Sequence, residues 1–177
     1  MNEIDPIEQG QPAQPWSVER VGVVGMGLIG GSIALDLSQQ GLVVQGLTHR
    51  EVTAQRARSR GLAQNVSTDP SCLQDCDLVV LAQPLKSLLA PEQNLLQALP
   101  LQAVVTDVGS VKVEVLKVWR NLHPRFVASH PMAGTAGAGV NAGVTGLFRG
   151  RPWVTTPDSE TDPSALEVIR QLAVRLG

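Results

Sequence analysis

From Glu19 onward the chain alternates short β-branched runs with longer segments whose apolar residues recur every three or four positions. RVGVVG (20–25) predicts a buried strand. LIGGSIALDLSQQG (28–41) sets Ile29, Ile33 and Leu37 four apart on one helical face, with Gly41 where a helix stop belongs. LVVQGLT (42–48) predicts a second strand, and EVTAQRARSRG (51–61) an exposed, charge-rich helix ending at Gly61. AQNVS (63–67) is a weak third strand, and DLVVLAQP (77–84) a fourth that a proline ends. PLKSLLAPEQNLLQALP (84–100) reads as a broken helix, with Pro91 in the first turn of its second part. AVVTDVG (103–109) predicts a fifth strand. SVKVEVLKVWRNL (110–122) predicts a helix with Val111, Val115, Val118, Trp119 and Leu122 on one face. FVASH (126–130) and WVTTP (153–157) predict a sixth and a seventh strand, and SALEVIRQLAVRLG (164–177) a closing helix.

Strands alternating with helices imply an α/β fold: a doubly wound, mainly parallel sheet joined by right-handed crossovers. This is the Rossmann dinucleotide-binding architecture, expected over residues 18–177. Ligands in such sheets bind outside the carboxyl ends of the strands. Residues 1–17 are acidic and rich in Gln and Pro, and are expected to be a disordered tail, not a secretory signal.

Composition narrows the function classes. Hydrophobic residues make up 43% and charged residues 17%, as in a globular protein. A net charge of −2 without a basic block argues against a nucleic-acid partner. No apolar run approaches the ~20 residues of a membrane helix, so no membrane association and a cytoplasmic location are expected. Cys72 and Cys76 lack partners at metal-ligand spacing and read as incidental thiols; no metal site is expected.

The first strand runs into GMGLIG, and the helix opens within it. In that context Gly25 permits the tight turn, Gly27 lets a pyrophosphate approach the backbone, and Gly30 lets helix pack on strand. The amides around Leu28, Ile29 and Gly30 would face the phosphates. A carboxylate ending the second strand would bond an NAD ribose and repel a 2′-phosphate. Thr48, His49 and Arg50 stand there instead, and a guanidinium can grip a 2′-phosphate bidentately. NADP is therefore the expected cofactor, with NAD less favoured; Glu51 would serve the ribose only if the loop shifted. Gln83 and Pro84, ending the fourth strand, are further candidate cofactor contacts.

Ser110 follows the fifth strand and reads either as a helix N-cap or as a hydroxyl near the nicotinamide. Lys112 reads as a first-turn surface lysine, and Asp107 as a group satisfying loop amides. His130 ends a strand next to the one leading to Ser110, so the two side chains are expected to approach. The small residues 133–139 leave space beyond it. Imidazole titrates near ~6.5 and suits proton transfer at neutrality.

GMGLIGGS, DLVVLAQP, VTDVGSVK, SHPMAGT and LFRGRPWVTTP, in this order, resemble the prephenate/arogenate dehydrogenases of tyrosine biosynthesis over about residues 18–177. The resemblance implies oxidative decarboxylation of arogenate or prephenate with hydride transfer to NADP. His130 would be the catalytic partner of the ring hydroxyl and Ser110 its orienting neighbour. Gly134 and Thr135 are substrate contacts of the kind this implies. Many prephenate-type members carry a glutamate where Ala136 stands, which, together with Arg50, resembles the NADP-linked arogenate type. The family continues with a helical domain that forms a homodimer and helps hold the substrate; none of it follows Gly177, so this chain is expected to turn over substrate poorly alone. Two other readings remain open here: another β-hydroxyacid-type dehydrogenase, which would use a lysine on a later helix, and a non-catalytic NAD(P)-binding module.

Overall fold

The computed structural model describes residues 15–134 and 137–177; Thr135, Ala136 and most of the expected tail lie outside them. Six parallel strands form one sheet: β1 Arg20–Val24, β2 Val43–Leu47, β3 Asn65–Ser67, β4 Leu78–Leu81, β5 Val104–Asp107 and β6 Phe126–Val127. Their order is β3-β2-β1-β4-β5-β6. The winding direction therefore reverses between β1 and β4, and a crevice opens there beyond the carboxyl ends. A separate antiparallel ribbon pairs β7 Ser129–Pro131 with β8 Trp153–Thr155.

Strand side chains alternate between two covered faces, which is why the strands read as unbroken apolar runs. Val21, Val23, Leu78 and Val80 meet Ile33 and Leu37 of α1 (Leu28–Gln39), Ala54 and Ala57 of α2 (Glu51–Ser59), and Ile169 and Leu172 of α6 (Pro163–Leu176). Val24, Val79, Leu81 and Val105 meet Leu88 of α3 (Leu85–Leu89), Leu95 of α4 (Gln93–Ala98), and Val115 and Trp119 of α5 (Val113–Trp119). Trp119 is fully buried, donates Nε1–H to the Leu88 carbonyl at 2.8 Å, and stacks on Phe126. Trp16 belongs by composition to the tail, yet it packs against the core, and the Arg175 guanidinium lies 4.5 Å from its ring centre.

Four predicted elements differ from what forms. The helix expected over 110–122 is confined to α5; Val111 and Leu122 are exposed, and Lys112, not Ser110, is the residue before the helix. The Gly109 amide donates to Asp107 Oδ2, and Lys112 reaches back to the same carboxylate, so the chain stays irregular to Lys112. The strand expected over 126–130 splits at Ala128, because Ser129 is tied to Asp107 while His130 pairs with Val154. WVTTP accordingly pairs in the ribbon, not in the main sheet. Pro91 precedes α4, whose N-cap is Glu92; the proline biases Ala90 to an extended backbone, which separates α3 from α4.

Candidate functional site

The glycine turn joins β1 to α1 at the crevice. Gly25 has φ +95°, and a Cβ there would lie 2.5 Å from the Ala82 carbonyl oxygen. A Cβ on Gly30 would lie 1.9 Å from the Gly25 carbonyl oxygen, so helix and turn touch backbone to backbone. A Cβ on Gly27 would meet nothing within 4 Å: that side of the turn is open. The first helical bond runs from Gly31 N–H to the Gly27 carbonyl at 2.8 Å, and no acidic residue stands in the first turn. The amides of Leu28, Ile29 and Gly30 thus have no intrahelical acceptor and carry the positive end of the helix. The side chains of Leu28 and Ile29 pack on the core, so only their backbone is available to a ligand.

Two clefts flank Thr48 and His49. One is lined by Gly25, Met26 and Gly27, by Thr48, His49, Arg50, Thr53 and Arg56, and, from the far side, by residues 138–141. No carboxylate lines it. Among the described residues the guanidinium groups of Arg50 and Arg56 have no hydrogen-bond or ion-pair partner, whereas Arg58 is held by Glu51 and the Val66 carbonyl. Glu51 therefore turns to Arg58 and does not line the cleft. The Thr48 hydroxyl donates to the Arg50 carbonyl at 3.3 Å.

The other cleft has an apolar floor of Val24, Leu47 and Leu95 and a polar rim that includes Thr68, Gln83, Ser87 and Asn94. Gln83 Nε2 lies 3.4 Å from His49 Nε2, and His49 Nδ1 lies 3.7 Å from Glu92. The Gln83 Oε1 atom is buried and has no partner among the described residues. Pro84 is exposed at the start of α3 and is not among the residues lining either cleft.

His130 lies on β7, just past the carboxyl end of β6, and its side chain is half-buried. Beneath it, fully buried Asp107 accepts bonds from Gly109 N–H at 2.9 Å, from Ser129 N–H at 3.3 Å and from Lys112. The Lys112 ammonium also donates to the Ser129 carbonyl at 2.6 Å, so it grips the residue preceding His130. The Ser129 hydroxyl donates to the Asp107 carbonyl at 2.9 Å and accepts from Trp153 Nε1–H at 3.1 Å. These bonds fix the ribbon to β5 and set where His130 stands. Burial, then the Lys112 charge, hold the imidazole pKa below its ordinary value, and Asp107 opposes them. Burial pushes the Asp107 carboxyl up and the Lys112 ammonium down, each opposed by the other's charge.

Ser110 is exposed, and among the described residues no hydrogen bond joins its hydroxyl to the His130 ring. Gly134 is exposed in open space, and Thr135 lies outside the described residues. Lys112 is not the surface lysine its helix-start position suggests: its side chain is only 13% exposed. Its signal in the sequence was an aspartate five positions earlier across a glycine. Arg56 and Thr53 also went unrecognised, although their spacing from Arg50 puts them on the first turns of one helix. Cys76 is buried, and its thiol is pushed up to about 12, chiefly by burial, which keeps it inert.

The sheet order, the glycine turn and the cleft at the reversal of winding define a dinucleotide-binding domain of the Rossmann class. The chain belongs to the family described as prephenate dehydrogenase, nucleotide-binding domain, whose pattern matches residues 33–177. It is 32% identical to cyclohexadienyl dehydrogenase of Zymomonas mobilis over 164 residues, covering 90% of this chain and 56% of that protein. The crystal structure of Synechocystis arogenate dehydrogenase superposes with a TM-score of 0.80 at 35% identity, covering 89% of this chain and 57% of that one. Prephenate dehydrogenase from A. aeolicus, in complex with hydroxyphenyl propionate and NAD+, superposes with a TM-score of 0.85 at 30% identity, covering 93% of this chain and 59% of that one. The chain thus spans little more than half the length of these relatives. Among the described residues no helix is long and apolar enough to cross a membrane, and no cluster of three metal-ligating side chains occurs.

Proposed function

We propose that this chain is the cofactor-binding half of an NADP-dependent dehydrogenase that oxidatively decarboxylates arogenate, with prephenate as the alternative substrate. The observation that carries the reading is the His130 imidazole, held low in pKa just past the carboxyl end of β6, on the carboxyl-end side of the sheet where the crevice also opens. A neutral imidazole accepts the proton of a ring hydroxyl as hydride leaves the same carbon. The ring carboxylate departs as CO2 and the ring becomes aromatic. The bound nicotinamide supplies the hydride acceptor; the protein's task is mostly to position the ring.

The residues present suit a dinucleotide. Gly27 and the free amides of α1 receive the pyrophosphate. The apolar floor of Val24, Leu47 and Leu95 suits adenine, and the buried Gln83 Oε1 is an acceptor awaiting a donor. Arg50 and Arg56, with no carboxylate beside them, favour a 2′-phosphate and so NADP. Ser110 and Gly134 are exposed and would meet the substrate, with Thr135 as a further contact.

The test is formation of reduced cofactor on adding arogenate, then prephenate, each with NADP and with NAD. It is run on this chain and on any longer in-frame product of its gene. Turnover that His130→Asn abolishes, with NADP binding unchanged, is the expected result. Tight NADP binding without turnover of either substrate by any form would refute the dehydrogenase reading and leave a cofactor-binding module.

A further inference from the structure

The cationic cleft has a second wall that the glycine fingerprint does not include. Residues 138–141 lie only eight to eleven positions beyond His130, and they face Arg50, Thr53 and Arg56 across the cleft. Three anchors, one just past α2 and two on α1, hold the chain from Val140 to Gly146. Arg60, the residue following α2, donates to the carbonyls of Val140 at 2.5 Å and Gly143 at 2.9 Å. The Ser32 hydroxyl on α1 accepts from Val144 N–H at 3.0 Å, and Asp36 accepts from Gly146 N–H at 2.9 Å. Gly143 and Gly31 pack so closely that a Cβ on either would lie 3.1–3.4 Å from the other's backbone. The arginines of this region therefore divide their work. Arg58 and Arg60 are consumed by protein carbonyls and Glu51, while Arg50 and Arg56 stay uncommitted and face the wall.

We infer that the 138–141 turn is part of the cofactor's recognition site, with Asn141 a specificity-determining residue for the 2′-phosphate of NADP and Arg60 the residue that positions it. Asn141 is the wall residue with a polar side chain; Ala138, Gly139 and Val140 offer only backbone or apolar groups. A neutral amide tolerates and can donate to a phosphate, whereas a carboxylate there would face it with like charge. The inference rests on the NADP reading above and deepens it: the 138–141 turn walls the adenosine end of the cofactor.

The experiment is titration of the 177-residue chain with NADP, NAD and 2′,5′-ADP, followed by tryptophan fluorescence. Asn141 is exposed, so Asn141→Asp leaves the fold intact. It is expected to weaken NADP and 2′,5′-ADP about tenfold, given a few-fold per added like-charge contact in water, and to leave NAD within about twofold. Arg60→Ala frees the wall and lowers the ratio of NADP to NAD affinity, and Arg60→Lys restores part of it. A wild-type chain that prefers NADP, with Asn141→Asp binding it unchanged, overturns the inference and spares the NADP reading. A wild-type chain with no preference for NADP removes both.

Discussion

Replacing Lys112 by methionine keeps most of its side-chain volume and removes its charge. Asp107, fully buried, then loses its cation, and the Ser129 carbonyl loses a donor. Breaking a buried ion pair from one side costs about 3–5 kcal/mol, because the remaining charge is stranded. With Gly109 and Ser129 amides still on the carboxylate, the lower end applies: about 3 kcal/mol, or roughly 6–12 °C in Tm for a chain of this size. Asp107→Asn strands the ammonium instead, and the double variant strands nothing. The two single losses should therefore exceed the loss in the double variant by about 2 kcal/mol. Urea unfolding of the four proteins, read by tryptophan fluorescence, closes this cycle. The same Lys112→Met variant relieves His130 of a repelling charge and leaves it the attracting Asp107, so its imidazole pKa must rise, as proton NMR would record. Strict additivity of the two substitutions, within about 0.5 kcal/mol, would refute the ion-pair argument, and an unmoved imidazole would refute the coupling to His130.

The glycine turn separates stability from binding. Gly30→Ala must push the backbone apart at Gly25 and should cost about 3 kcal/mol by thermal melting. Gly27→Ala meets open space and should leave stability within about 1 kcal/mol, while its methyl blocks the pyrophosphate and abolishes cofactor binding in the same titration. His123 is buried: its Nε2 faces the Pro100 carbonyl at 3.1 Å and so carries the proton, and its Nδ1 accepts from Arg125 N–H at 3.3 Å. Burial lowers its folded pKa, so the unfolded chain binds more protons between the folded value and about 6.5. Stability should fall as pH drops below about 6.5 and through that folded value; His123→Gln should flatten this slope in urea titrations at successive pH values, and an unchanged slope would contradict the lowering of its pKa by burial.

The main sheet was legible because its strands are buried on both faces and its first turn must have glycine at Gly25 and Gly30. The boundaries near the site were not. Whether a helix begins at Ser110 or after Lys112 is decided by Asp107, and whether Ser129 continues β6 or opens a ribbon is decided by bonds to Asp107 and by Val154 across the ribbon. These are contacts between distant segments, and local periodicity carries no trace of them. His130 could be singled out by its place at a strand end, but the buried pair beneath it could not. Arg50 stood out at the end of β2, whereas Arg56 and the 138–141 wall matter only once α2 and the loop have packed together.

The ribbon carries one more consequence. His130 hydrogen-bonds along β8, and the six parallel strands are complete without it. His130 and the glycine turn thus sit on separately woven pieces of backbone, joined by a few bolts at Asp107, Lys112 and Ser129. Descendants of such a chain are free to vary the two strands of the ribbon while the glycine turn, and the 138–141 wall that lies between those strands in sequence, are left alone.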